Sequence, residues 1–215
     1  MRSKFDEQLK NLNEEMIQMG IMIEDNIQKA IEALVKSDVD LAKQIMEKDS
    51  IIDRKQRDIE NICFQLLIQQ QPVAKDLRAI TAAMKMVTDM ERIGDHAADI
   101  SEITLVLAKS EQADTYETIM KMASEASVML IQSIDAFTEK NQEKAMAVID
   151  HDDIVDDLFD KVKGELVELI KKDPGQGEQE IDMLMIAKYL ERIGDHATNI
   201  AEWVIYSLDN HIKED

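Results

Sequence analysis

The residues of this chain best placed to do chemistry are carboxylates four positions apart. Asp49 and Asp53 form one pair and Glu91 and Asp95 another; about a hundred residues later come Asp152 with Asp156 and Glu191 with Asp195. On a helix, an i,i+4 pair shares one face. Oxygen donors supplied by two adjacent helices suit hard cations such as Mg²⁺, Mn²⁺ or iron. A single pair means little in a chain with 45 acidic residues, because most such pairs are a solvated helix face. Recurrence at duplicated positions changes the balance, and so does what the arrangement costs. Like charges at i,i+4 destabilise a helix by a few tenths of a kcal/mol, and a mid-helix glycine costs about 1 kcal/mol relative to alanine. Gly94 and Gly194 lie inside the Glu91/Asp95 and Glu191/Asp195 pairs. Bound cations would offset both costs, whereas Arg92 and Arg192 could instead neutralise the carboxylates directly. Residue types and spacing leave both readings open.

Helical projection extends these pairs into a pattern. Glu91, Asp95, Asp99 and Glu102 form a stripe beside an apolar arc of Met86, Met90, Ile93, Ala97, Ile100 and Thr104 that faces a core. The second copy reads Glu191, Asp195, Asn199 and Glu202, one carboxylate fewer. Glu60 continues the first pair, while Lys163 stands at its duplicate position and Asp153 and Asp157 add charge nearby. Gly94 and Gly194, at the edge of the apolar arc, are predicted to admit a neighbouring helix closely. His96 and His196 project about 140° away from Glu91 and Glu191, so they are expected to pack or cap rather than to bind the same ion. A ferritin-like di-iron site needs Glu-x-x-His, and Glu91 and Glu191 meet glycine at the third position. No constellation of nucleophile, base and orienting group is visible.

The elements that must carry these residues are helices. Only two Pro and six Gly in 215 residues, with few aromatics, leave little to break a helix or favour a sheet. Six helices are predicted. The first runs from about Lys4 to Lys36, turning at Ser37-Asp38, and the second reaches about Gln70 before Gln71-Pro72. The third ends near Lys109, followed by a junction at Ser110–Asp114. The fourth reaches about Lys140 and the fifth Lys172, and Asp173-Pro174-Gly175-Gln176-Gly177 precedes the sixth. The halves repeat. Ala30–Asp53 aligns without gaps on Ser133–Asp156 at an offset of 103, and Glu91–Ala97 is identical to Glu191–Ala197 at an offset of 100. A period of that length is one three-helix unit used twice. The expected fold is therefore all-α, two tandem three-helix bundles spanning 1–110 and 111–215.

Composition also excludes function classes. A formal charge of -20 argues against nucleic acid, which draws its affinity from clustered Lys and Arg, and against a bare anionic membrane. No segment approaches the 18 or so apolar residues of a bilayer span, and Met1–Lys10 lacks the apolar run of a signal peptide. Cys63 is the lone cysteine, expected as a buried apolar residue in a reducing, cytoplasmic setting. The fourteen methionines are expected mainly as core filler. Trp203 and Tyr206 are expected to pack against the other bundle rather than to form a docking patch.

These residues resemble the PhoU family of phosphate-transport regulators. The resemblance covers essentially the whole chain. It rests on six helices in two repeats, on Gln71-Pro72-Val73-Ala74-Lys75-Asp76-Leu77-Arg78 entering the third helix, and on both copies of Glu-Arg-Ile-Gly-Asp-His-Ala. It implies clusters of iron, manganese, magnesium or zinc ions held by Asp49, Asp53, Glu91 and Asp95 and by Asp152, Asp156, Glu191 and Asp195. Asn199, standing where the first copy has Asp99, implies two sites of differing affinity or nuclearity, with Asp153 or Asp157 as substitute ligands. It further implies a homodimeric adaptor, not an enzyme, that represses phosphate uptake and the starvation response through the phosphate ABC transporter ATPase and a sensor histidine kinase. The competing readings are a metal-dependent enzyme built on the same carboxylates and a purely structural helical protein.

Overall fold

The same corner is built twice. In the computed structural model, which describes residues 2–70, 72, 74–108 and 116–209, Ser37 and Lys140 are the two non-glycine residues with positive φ, at 51° and 55°. They are 103 positions apart, duplicates of one another. Ser37 N–H donates to Leu34 O and Asp38 N–H to Ala33 O, while Lys140 N–H donates to Phe137 O and Asn141 N–H to Ala136 O. Paired bonds of this kind close a helix that ends on a left-handed residue. The next side chain then opens the following helix. Asp38 Oδ1 accepts from Leu41 N–H and Asn141 Oδ1 from Lys144 N–H, each at 3.0 Å, satisfying one of the free donors at a helix start.

The helices are α1 (Arg2–Lys36), α2 (Val39–Gln70), α3 (Ala74–Leu107), α4 (Tyr116–Glu139), α5 (Gln142–Lys172) and α6 (Gly177–Leu208). There is no strand among the described residues, so the all-α architecture of two three-helix repeats is the one observed. The junction ahead of α6 differs from a plain loop. Pro174–Gln176 form a single 3-10 turn, opened by Asp173, whose side chain accepts from Gly175 N–H at 3.0 Å. Lys109, the Ser110–Asp114 junction, and Gln71 and Val73 beside Pro72 lie outside the described residues.

Within each repeat the three helices pack on one another, and the repeats join through α3 on α6 and α1 on α4. Consequently α1, α3, α6 and α4 form a central four-helix layer. α2 lies outside it against α1 and α3, and α5 outside it against α4 and α6. One apolar cluster runs through both repeats, filled by methionines such as Met16, Met19, Met86, Met90, Met129 and Met183, all wholly buried. Each buried side chain of that size is worth about 1.5–3 kcal/mol of transfer free energy, and an unbranched thioether fills irregular seams well. Met120, Met146 and Met185 stay exposed. Cys63 is buried, which pushes its thiol up to about 12. Trp203 packs on the core and meets Tyr206 edge-on at 5.6 Å, but Tyr206 itself remains exposed.

The crossing of α2 on α3 brings the carboxylates of the two helices together, and it depends on Gly94. A Cβ there would stand 2.9 Å from Ile52 Cγ2. At the duplicate, a Cβ on Gly194 would stand 3.1 Å from Asp152 Oδ1 and 3.4 Å from Val155 Cγ1. Absence of a side chain thus sets the helix separation in both halves. Gly94→Ala is expected to cost about 1–3 kcal/mol through overpacking, despite alanine's better helix propensity. In urea unfolding, combining it with Ile52→Ala should cost less than the sum of the two single changes, since the second removes what the first collides with.

Candidate metal centre

On α2, Asp49 and Asp53 are one turn apart; on α3, Glu91 and Asp95 are likewise. Because Ile52 seats on Gly94, the two turns face each other. One carboxylate oxygen from each of Asp49, Asp53 and Asp95 lies within 4.8 Å of the others. Glu91 is largely buried beside them. Like charges at this range oppose ionisation, and burial opposes it further. Asp49 is pushed from its ordinary 3.8 to about 6, first by desolvation and then by the charges of Asp95, Asp53 and Asp99. Glu91 is raised by desolvation and by Asp95, with Arg92 acting the other way. Asp49 Oδ1 is buried without a hydrogen-bond partner. Arg92 does not reach it. That guanidinium is more than half exposed, bonds Asp95 Oδ2 at 2.8 Å and stands 3.5 Å from Glu91 Oε2, covering the solvent edge of the cluster only.

An all-oxygen donor set from two helices, one buried oxygen left unsatisfied and negative charge crowded enough to raise Asp49 and Glu91 above their ordinary pKa are what a hard divalent or trivalent cation would complete. The residues present fit such an ion.

The second cluster has the same parentage and a different interior. Asp152 is pushed up to about 6 by desolvation, by Asp156 and by Asp195, partly offset by the Thr198 hydroxyl. Asp156 is raised by desolvation, then by Glu191 and Asp195, with Lys188 opposing. Arg192 bonds Asp195 at 3.3 Å. Glu191, however, is held by Lys188, whose Nζ donates to Oε1 at 2.6 Å and to Oε2 at 2.5 Å. No second group of three ligand atoms converges as Asp49, Asp53 and Asp95 do among the described residues.

Asn199 departs from its expected place, because Nδ2 points across the repeat seam to Asp89 Oδ1 at 3.2 Å. Asp99 instead accepts from or donates to His96 Nδ1 at 3.2 Å, according to the imidazole tautomer and carboxyl protonation, while its charge still reaches Asp49. Asp153 and Asp157 are solvent-exposed, Asp153 adding repulsion at Asp156. Glu102 and Glu202 are exposed too. Both histidines pack in the α3/α6 seam. His96 stacks on Tyr189 with centroids 5.3 Å apart and lies 5.7 Å from His196, whose Nδ1 meets Asp89 Oδ1 at 2.8 Å. Burial lowers the His96 pKa, against the opposing effect of its hydrogen bond to the Asp99 carboxylate. Lys188, Asp89, Tyr189 and Thr198 escape a search for repeated carboxylates. All four were visible as departures from the repeat, since Lys188 stands where the first copy has Thr88, Tyr189 where it has Asp89, and Thr198 where it has Ala98.

Fold and site together define an all-helical protein of duplicated three-helix units, with a cluster of carboxylates on the outer seam of each. The chain belongs to the PhoU family, since the PhoU domain matches it twice, over residues 16–104 and 119–204. It is 41% identical over 206 residues to a phosphate-specific transport system accessory protein PhoU homolog of Clostridium acetobutylicum, spanning 95% of this chain and 94% of that one. A Pseudomonas aeruginosa protein of the same description is 33% identical over 94% of this chain and 84% of its own. The crystal structure of PhoU from Pseudomonas aeruginosa superposes with a TM-score of 0.89 at 33% identity, covering 95% of this chain and 98% of that one. The phosphate transport system regulatory protein PhoU of Streptococcus pneumoniae superposes at 0.87 and 28% identity, over 98% and 100%.

The raised values of Asp49 and Asp152 carry a sign. A carboxyl that binds its proton more tightly when folded stabilises the fold below its unfolded pKa, and that contribution is lost as pH rises through the folded value. Without metal, the two groups should therefore lower stability progressively between about pH 4 and pH 6. Asp49→Asn should flatten its part of that slope. In EDTA at pH 7 it should raise stability by about 1 kcal/mol, a figure already reduced for solvent screening of a partly exposed group. Urea titrations at a series of pH values read both effects.

Proposed function

We propose that this protein is an accessory regulator of phosphate uptake, a metal-binding adaptor that represses transport and the phosphate-starvation response when phosphate is plentiful. Family membership supports the regulatory role, since the relatives from Clostridium acetobutylicum and Pseudomonas aeruginosa are described as phosphate-specific transport system accessory proteins. The observation that carries the metal-binding part is the convergence of Asp49, Asp53 and Asp95 on one point, with an unpartnered buried oxygen on Asp49. Asp49, Asp53, Glu91 and Asp95 would hold a cation in the first repeat, and Asp152, Asp156, Glu191 and Asp195 in the second. Iron, manganese, magnesium and zinc are the candidate ions, the first three matching an oxygen-only donor set best. A bound ion would supply positive charge that locks α2 to α3, or α5 to α6, and so couples metal occupancy to the shape of each outer face.

In this reading the protein is an adaptor rather than an enzyme. It acts in the cytoplasm as a homodimer, contacting the transporter ATPase and a sensor histidine kinase. No helix among the described residues is long and apolar enough to cross a membrane, in keeping with a partner of a membrane transporter that is not itself inserted. The acidic charge of -20 favours basic protein surfaces over nucleic acid.

Two measurements test the proposal. Deleting the gene should leave phosphate uptake and starvation genes active in phosphate-rich medium; unchanged uptake and expression would refute the regulatory role. Asp95→Asn combined with Asp195→Asn should lower metal affinity about tenfold or more with helical circular dichroism intact. Full metal content in that double variant would remove these residues from the site.

A further inference from the structure

We propose that Lys188 is the resident cation of the second cluster, so that metal fills the first cluster first and enters the second only by displacing this ammonium. The inference rests on the metal-binding reading above and goes beyond it by making the two sites unequal through a named residue. Lys188 Nζ bonds both carboxylate oxygens of Glu191, at 2.6 and 2.5 Å. The ammonium also stands over the ring of Phe159 on α5, 5.4 Å from its centroid, within the range at which an aromatic face attracts a cation. Lys163 approaches the same ring at 5.7 Å. A lysine ammonium is a compact point charge with three donors, so it can stand among carboxylates where an ion would.

None of these three residues has its like in the first repeat. The duplicate of Lys188 is Thr88, whose hydroxyl is turned back to Met84 O at 3.2 Å. The duplicates of Phe159 and Lys163 are Gln56 and Glu60. All three differences work in one direction: they add a cation to the second cluster, add the surface that holds it, and remove a carboxylate. The outcome is visible in the geometry. Oxygens of Asp49, Asp53 and Asp95 converge with Arg92 bonded to Asp95 at the solvent edge, whereas Glu191 is held through both its oxygens by Lys188. A metal ion entering the second cluster must break two charge-assisted bonds and meet a like charge at close range, which together weaken binding about tenfold or more. Lys188 is 37% exposed, so it can swing out to water when it is displaced.

Isothermal titration of the full chain, stripped with EDTA, with Mn²⁺ reads this directly. Wild type should bind in two steps separated about tenfold or more, the tighter one removed by Asp53→Asn and the weaker by Asp156→Asn. Lys188→Thr should tighten the weaker step about tenfold and leave the tighter one unmoved. Lys188→Met, which keeps the apolar stem against Phe159, should do the same. In EDTA each variant should melt below wild type, because Glu191 has lost its partner, and Mn²⁺ should reverse the deficit. One tight step in wild type with two in the variants also supports the proposal. A single affinity shared by both wild-type sites, or a weaker step that neither variant moves, overturns it while leaving metal binding intact. Absence of Mn²⁺ binding in wild type and variants alike overturns the metal reading itself, and this inference with it.

Discussion

Everything distinctive about this molecule depends on how closely each outer helix can approach the central layer. α2 crosses α3 where Ile52 lies over Gly94, and α5 crosses α6 where Val155 and Asp152 lie over Gly194. A glycine in mid-helix lowers helix stability by about 1 kcal/mol relative to alanine, and here it permits a separation that places carboxylates of two helices within a few ångströms. Repulsion and burial then hold Asp49 and Asp152 near half-protonation around pH 6. The fold thus concentrates negative charge at two points and accepts a loss of stability in doing so. That is the condition under which a bound cation changes structure as well as charge.

The same crossing explains why the histidines of the repeated heptapeptide belong to another part of the molecule. With Glu91 and Asp95 directed at α2, His96 is carried round to the face that meets α6, and His196 to the face that meets α3. There they join Asp89, Asn199, Asp99 and Tyr189 in a polar seam between the two repeats. One seven-residue segment therefore serves two interfaces, its carboxylates the outer seam and its imidazoles the inner one. Because the segment is used twice, the carboxylate clusters and the joint between repeats both draw on adjacent residues of the same two helices, α3 and α6.

Duplication also shows where the halves have parted. The corners at Ser37 and Lys140 keep the same left-handed backbone, the same paired carbonyl bonds and the same Asx cap. Backbone geometry there is set by local hydrogen bonds and tolerates Ser for Lys and Asp for Asn. The clusters are less alike. Each keeps its four carboxylates, but the surroundings differ at Thr88 against Lys188 and Glu60 against Lys163, and electrostatics responds to such changes over several ångströms. Two clusters of common origin thus have different electrostatic interiors.

Six helices, their turns at Ser37-Asp38 and Lys140, the duplication and the eight repeated carboxylates were all legible in the sequence, because helix periodicity, breakers and internal identity are local properties of the chain. Projection of one helix could also separate the carboxylate face from the imidazole face. It could not say that Asp49, Asp53 and Asp95 converge to within 4.8 Å, since that distance is set by the packing of Ile52 on Gly94. Nor could it place Asn199 against Asp89 or Lys188 on Glu191, contacts settled by competition among neighbours on different helices. The periodicity of the chain determined which residues share a face; the separation and register of packed helices decided which of those faces became a site.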